Sequence, residues 1–124
     1  GGRVWVQGLD FLFDVVGSAP VSFTEGQFIY DYMGIEEYHA QSHVDDGIYS
    51  DGVPQLDVVP DNGVCTFTPV QWSYPTMWYV DAIALAPGTN GLYTMGPADY
   101  DFSDYYSGFY KSLGTAKVIT FTFE

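Results

Sequence analysis

Residues 61–87, DNGVCTFTPVQWSYPTMWYVDAIALAP, decide the fold class. The stretch begins with the turn Asp61-Asn62-Gly63 and ends in the longest apolar run of the chain, which only Asp81 interrupts. Turn residues followed by β-branched and aromatic residues are typical of strands. We predict a strand at 64–68, a loop at 69–76 and a central strand at 77–86 that is covered on both faces.

Shorter segments on both sides of this stretch alternate apolar and polar residues between turns. Alternation with period two predicts strands that bury one face. We predict strands at 9–16, 21–33, 35–49, 51–60, 92–95 and 115–123, a hairpin turn at Asn90-Gly91, and a long loop with short strands at 97–114. The chain is therefore predicted to be all-β, a single antiparallel β-sandwich or jelly roll over residues 1–124, with about eight or nine strands and no significant helix.

The charge of the chain is strongly one-sided. Asp and Glu number 16 against 3 Lys and Arg, for a formal net charge of −13. Such a surface repels phosphate backbones and anionic membranes, so we expect no nucleic-acid partner. Solubility, a high-salt environment and divalent cations between acidic loops remain three explanations of the acidity. No apolar stretch approaches the ~20 residues of a membrane span.

Composition also favours a location outside the cell or at its surface. Lys is scarce, and Tyr, Thr, Gly and Asp are abundant. The chain begins Gly-Gly-Arg without Met, which we interpret as a mature or processed product. Cys65 is the single cysteine, so it has no internal disulfide partner, and its strand-like context favours a small buried residue.

Two groups of aspartates are candidate calcium ligands. Calcium takes roughly six to eight oxygens, often from flexible acidic loops. The groups are Asp45, Asp46 and Asp51, and Asp99, Asp101 and Asp104. Solvated acidic loops are the alternative explanation for either group.

Other chemistry has less support in the sequence. His39 and His43 have the spacing of a zinc pair on a helix, but on the predicted strand they lie about 13 Å apart, which favours two exposed histidines. The chain contains no Gly-x-Ser-x-Gly elbow, Cys-His pair or phosphate loop, so we predict that it is not an enzyme.

The aromatic loop Gln71-Trp72-Ser73-Tyr74 is a candidate glycan platform. Trp72, Tyr74 and Trp78 offer flat rings for stacking on sugars. Because large aromatic side chains are mostly buried, the alternative is that Trp72 packs onto the core.

Both ends of the chain are apolar and β-prone. A terminal strand that leaves its own sheet can complete the sheet of a neighbour. The residues in question are Val4, Trp5, Val6, Val118, Ile119, Phe121 and Phe123. Pairing of both ends within the monomer is the alternative.

The run Asp61-Asn62-Gly63-Val64-Cys65-Thr66-Phe67-Thr68 resembles the Asp-x-Gly-x-x-x-Phe hairpin of transthyretin-like and carboxypeptidase-regulatory-like β-sandwich modules. This resemblance covers residues 61–68 alone. It implies a small extracellular or surface-associated domain with an adhesive or structural role.

These observations predict an extracellular structural subunit. It would assemble as a homo-oligomer or homopolymer into a filament, tubule or surface layer through strand complementation and Tyr-rich contacts. Calcium would neutralise facing carboxylates, because a net charge of −13 opposes close packing of copies. The alternative is a carbohydrate-binding module or adhesin domain.

Overall fold

The computed structural model describes residues 1–47, 51–64 and 66–124. Its helical parts are the short helix α1 (Phe11–Val16) and one π-helix (Ile29–Met33). The nine strands are β1 (Arg3–Gln7), β2 (Val21–Ser22), β3 (Ile35–Gln41), β4 (Gln55–Val58), β5 (Val70–Gln71), β6 (Asp81–Leu85), β7 (Thr89–Gly96), β8 (Tyr106–Leu113) and β9 (Ala116–Phe121). The prediction of an all-β chain without significant helix is confirmed. None of the helices described has the length and apolarity needed to cross a membrane.

All nine strands belong to one branched sheet. Neighbouring strands follow the order β2-β3-β6-β8-β7-β4-β5, while β9 joins β8 and β1 joins β9. Every pair is antiparallel except β1 with β9, which is parallel. Strand β8 is the branch point, because it contacts β6 through the pair Ile83 and Tyr106 and then continues beside β9.

A hydrophobic cluster covers each face of this sheet. In β6 and β8, neighbouring residues enter different clusters, as the pleat requires: Ala82 and Tyr110 lie in the first, Ile83 and Phe109 in the second. The second cluster also contains Leu12 of α1, so the helix covers part of that face. The central strand is thus buried on both sides, as predicted.

The predicted strands at 35–49, 51–60 and 115–123 correspond to β3, β4 and β9, each shorter than its segment. The central strand is also shorter than predicted, because β6 spans Asp81–Leu85 rather than 77–86. Tyr79 has φ of 63°, a left-handed conformation that ends the extended run before β6.

The predicted strand at 9–16 is wrong, because Phe11–Val16 form α1. A contact across the molecule fixes its first turn: the Leu12 N–H donates to the buried carboxylate of Asp81 at 3.0 Å. At the other end, the Gly17 N–H donates to the Phe13 carbonyl at 2.8 Å. These contacts satisfy backbone groups that a short helix otherwise leaves unpaired.

The strand predicted at 21–33 is wrong beyond its first two residues. Strand β2 ends at Ser22, and Ile29–Met33 form the π-helix. Gly34 ends this helix with φ of 83°, and its N–H donates to the carbonyls of Ile29 and Tyr30. A left-handed residue at the end of a helix favours glycine, because other side chains are strained there.

The hairpin turn predicted at Asn90-Gly91 is also wrong, because both residues lie within β7. Gly91 instead allows the ring of Tyr106 to pack closely against the backbone, because a Cβ at this position would lie 2.2 Å from that ring. The predicted loop at 97–114 contains the full-length strand β8. Of the strand predicted at 64–68, Cys65 lies outside the described residues, and its described neighbours Val64 and 66–68 are not in a strand.

Candidate functional site

The two terminal strands pair with each other within the monomer. Val4 of β1 lies opposite Val118 of β9, and Trp5 lies opposite Ile119. The ring of Trp5 packs 5.0 Å from that of Phe121. Of the predicted assembly residues, Phe121 and Phe123 are core residues, Val6, Val118 and Ile119 are half-buried, and Val4 and Trp5 are exposed.

Strand β1 leaves one edge of the sheet open, because among the described strands it pairs with β9 alone. The Lys117 N–H donates to the Gly2 carbonyl, and the Gly8 N–H donates to the Phe121 carbonyl. Backbone groups of successive residues in a strand point to opposite sides, so Arg3, Trp5 and Gln7 direct their N–H and C=O groups to the open side. The other edge strands, β2 and β5, have two residues each.

An apolar groove of about 450 Å³ lies beside β1. Val4, Val6 and Val118 line it together with Phe28 and Tyr32. The rings of Phe28 and Tyr32 stack with centroids 5.2 Å apart, and both side chains are more than half exposed. Strand β1 therefore has both an open backbone edge and exposed apolar side chains.

Positive charge is confined to the same part of the molecule. All three cations of the chain lie in β1, β8 and β9, and these strands contain no Asp or Glu. Arg3 and Lys117 are exposed and in register, while the Lys111 ammonium donates to the Tyr30 carbonyl at 2.9 Å. We call Arg3, Lys111 and Lys117 the cationic pole.

The structure brings members of both predicted calcium groups together. Asp51, Asp99 and Asp101 line one cleft of about 350 Å³, which we call the acidic cleft. Tyr100 lines it too, and its hydroxyl donates to Asp46 at 3.0 Å. Burial, with the Asp46 carboxylate beside it, raises the pKa of Tyr100 far above its usual value. Asp45 and Asp104 do not line this cleft.

Asp46 has a structural role. It is 1% exposed, and its Oδ2 accepts hydrogen bonds from the His43 N–H, the Gly52 N–H and the Tyr100 hydroxyl. Within the described ranges, no three His, Cys, Asp or Glu side chains are arranged to hold a metal ion. Calcium therefore stays a prediction.

The two histidines of the H-x3-H pattern lie in separate aromatic contacts. His39 stacks on Tyr105 with centroids 4.0 Å apart and contacts Glu37 through Nδ1 at 2.9 Å. His43 stacks on Trp78, also at 4.0 Å. These contacts give each ring its own aromatic neighbour.

The proposed glycan residues divide into two places. Tyr74 and Trp78 line a groove of about 680 Å³ together with Tyr79, and Tyr74 is 77% exposed. Trp72 does not line this groove, because its ring packs against Phe123 and its Nε1–H donates to the Val53 carbonyl at 2.9 Å.

A buried polar group at Asp81 was not predicted as a site. Its Oδ1 accepts from the Gln41 amide at 3.3 Å, and the same amide donates to Asp10 at 2.6 Å. Burial raises the pKa of Asp81 to about 6. The signal in the sequence is its position as the single charge in the apolar run 77–86.

Comparisons with known proteins give no relative: no family model, curated protein or solved structure matches the chain. The resemblance of residues 61–68 to transthyretin-like modules stays untested.

Proposed function

We propose that this protein is a non-enzymatic structural subunit that assembles with copies of itself outside the cell or at its surface. The open edge of β1 carries this proposal. In this five-residue strand, Arg3, Trp5 and Gln7 direct their N–H and C=O groups to a side where no other described strand pairs, and they form a template for an added strand. Addition of a strand from a second copy would satisfy these groups.

The groove beside β1 adds apolar surface to the same contact. Natural proteins commonly protect sheet edges by shortening them, as the two-residue strands β2 and β5 illustrate. Strand β1 is longer, and Val4, Phe28 and Tyr32 leave apolar area beside it exposed. Burial of this area in an assembly would be favourable, since apolar surface leaves water.

A charge in the groove tests the proposal. Val4→Glu places a carboxylate against the apolar walls, while Val44→Glu makes the same change at a site of similar exposure, 53% against 59%. We expect Val4→Glu to abolish assembly in electron microscopy and light scattering, and Val44→Glu to retain it. Equal assembly of both variants, or a wild-type protein that stays monomeric over a wide concentration range, would refute the proposal.

Carbohydrate binding is the second candidate function, and the groove at Tyr74 and Trp78 favours it. Aromatic faces in one concave site, with Asp51 at its border, are suited to a sugar ring and its hydroxyls. Trp78→Ala should abolish a change in tryptophan fluorescence on addition of a glycan panel. Trp5→Ala, at an exposed tryptophan outside the groove, is the control. Absence of any fluorescence change in the wild type would remove this function.

A further inference from the structure

The cationic pole and the acidic cleft lie toward opposite ends of β8. Asp99, Asp101 and Asp104 precede the first residue of β8, whereas Lys111 lies near its other end. Lys111 is five residues beyond Tyr106, which is roughly 17 Å of extended chain. Lys117 lies beside the same end, because the β8–β9 pairing places it opposite Ser112.

Strand β1 shows the same polarity independently. Arg3 begins the strand at the cationic pole. Leu9, just past its other end, lines one groove with Asp51. The six residues from Arg3 to Leu9 correspond to roughly 20 Å of extended chain. Both strands thus connect the cationic pole to the neighbourhood of the acidic cleft.

The groups at both poles are available for contact. Arg3, Lys117 and the three aspartates of the acidic cleft are exposed. In the part of the chain that the structure describes, the ion-pair contact is between Glu37 and His39, and none involves Lys or Arg. Every residue from 4 to 110 that carries a fixed charge is acidic, so a second copy offers this pole an acidic surface.

We propose that copies of this chain stack head to tail, with Arg3 and Lys117 of one copy against the acidic cleft of the next. The proposal rests on self-assembly as the proposed function, but it uses residues other than the β1 edge groove. Two different surfaces meet in such a contact, so it repeats into an open filament rather than closing as a symmetric dimer. Opposite charges at the contact offset the repulsion between copies that each carry −13.

Calcium is the rival occupant of the acidic cleft. It would bind the same carboxylates that the cationic pole requires. If calcium bridged two acidic clefts, assembly would require the ion and would not change when Lys117 is substituted. The head-to-tail contact instead forms in the presence of a chelator and depends on Lys117.

A charge swap between two variants tests the contact. Lys117→Glu alone and Asp101→Lys alone each bring like charges together in every contact between identical copies. We expect the dissociation constant of self-association, measured by sedimentation velocity, to rise roughly tenfold or more in each variant. An equimolar mixture should recover association, because each pole then finds an opposite charge on the other variant. Circular dichroism checks that both variants are folded, and Lys117→Gln with Asp101→Asn provides a milder pair.

The control places both changes in one chain. Lys117→Glu with Asp14→Lys has the same total charge as Lys117→Glu with Asp101→Lys, but its second change lies at an exposed residue of α1. We expect the chain with Asp101→Lys to recover association and the chain with Asp14→Lys to show no recovery. Val4→Glu, measured beside these variants, should lose association and have no charge variant that restores it, so that loss of the edge contact and loss of the polar contact are distinguished. Failure of the Lys117→Glu and Asp101→Lys mixture to recover, equal recovery with Asp14→Lys, or assembly that requires calcium and ignores Lys117→Glu would overturn the proposal.

Discussion

Arg3 of β1 lies in register with Lys117 of β9, so two of the three cations of the chain occupy neighbouring positions on a parallel pair of strands. Like charges side by side are unfavourable unless an anion is near. No Asp or Glu in β1, β8 or β9 supplies one. The head-to-tail contact that we propose would supply an anion here, whereas direct contact between two identical cationic poles would not.

Asp81 should give the stability of the protein a distinct pH dependence. Burial raises its pKa to about 6 from the usual 3.8, so the native state binds this proton more tightly than the unfolded chain. Its contribution to stability is complete below about pH 3.8 and is lost as the pH rises through about 6. The loss is on the order of 3 kcal/mol.

Asp81→Asn removes this titration. The unfolding free energy of the wild type, measured by urea at a series of pH values, should fall relative to that of the variant between about pH 4 and about pH 7. Asp14→Asn, at an exposed residue, is the control. A difference between wild type and Asp81→Asn that stays constant with pH would contradict the assignment.

Asp46 should matter for stability although it is a predicted calcium ligand. Asp46→Ala leaves three hydrogen-bond donors without their acceptor and should lower the unfolding free energy by about 2–4 kcal/mol. Asp46→Asn keeps one acceptor oxygen, so its unfolding free energy should fall by less than that of Asp46→Ala. Asp99→Ala, at an exposed residue of the acidic cleft, should change stability by less than about 0.5 kcal/mol. Equal losses in Asp46→Ala and Asp99→Ala would show that these hydrogen bonds contribute little.

Gly34 combines a left-handed backbone with a close packing contact. A Cβ there would lie 2.1 Å from the Thr89 hydroxyl oxygen, whereas a Cβ at Gly114, which also has positive φ, has open space. Gly114→Ala should lower the unfolding free energy by about 1 kcal/mol, because of backbone strain alone. Gly34→Ala should cost at least about 1 kcal/mol more, because Thr89 must move. Thermal unfolding measures both, and equal losses would show that the contact at Thr89 relaxes freely.

Sequence patterns predicted the strands that lie in segments with alternating or continuous apolar residues. Strands β3, β4, β6 and β9 all lie within segments that were predicted as strands. The failures come from interactions between distant residues. Helix α1 depends on a hydrogen bond from Leu12 to Asp81, 69 residues away. Gly91 follows Asn90 as in a turn, but the ring of Tyr106 explains the glycine.

The candidate surfaces were predictable in composition but not in arrangement. The sequence identified Val4, Trp5 and the acidic residues as unusual, and the apolar ends as candidates for strand exchange. It did not indicate that β1 pairs in parallel with β9, because parallel pairing joins strands more than 100 residues apart. The grouping of Asp51 with Asp99 and Asp101, and the confinement of cations to three adjacent strands, likewise depend on the sheet topology.

The open edge of β1 is tested most directly by removing one outward N–H. Gln7→Pro removes this group on the open side, where a sheet edge tolerates proline, and Gln7→Ala removes the side chain alone. Sedimentation velocity over a concentration series compares both variants with the wild type. Our account predicts assembly of the wild type and Gln7→Ala and a monomeric Gln7→Pro that keeps the wild-type circular dichroism spectrum. Unchanged assembly of a folded Gln7→Pro would contradict it.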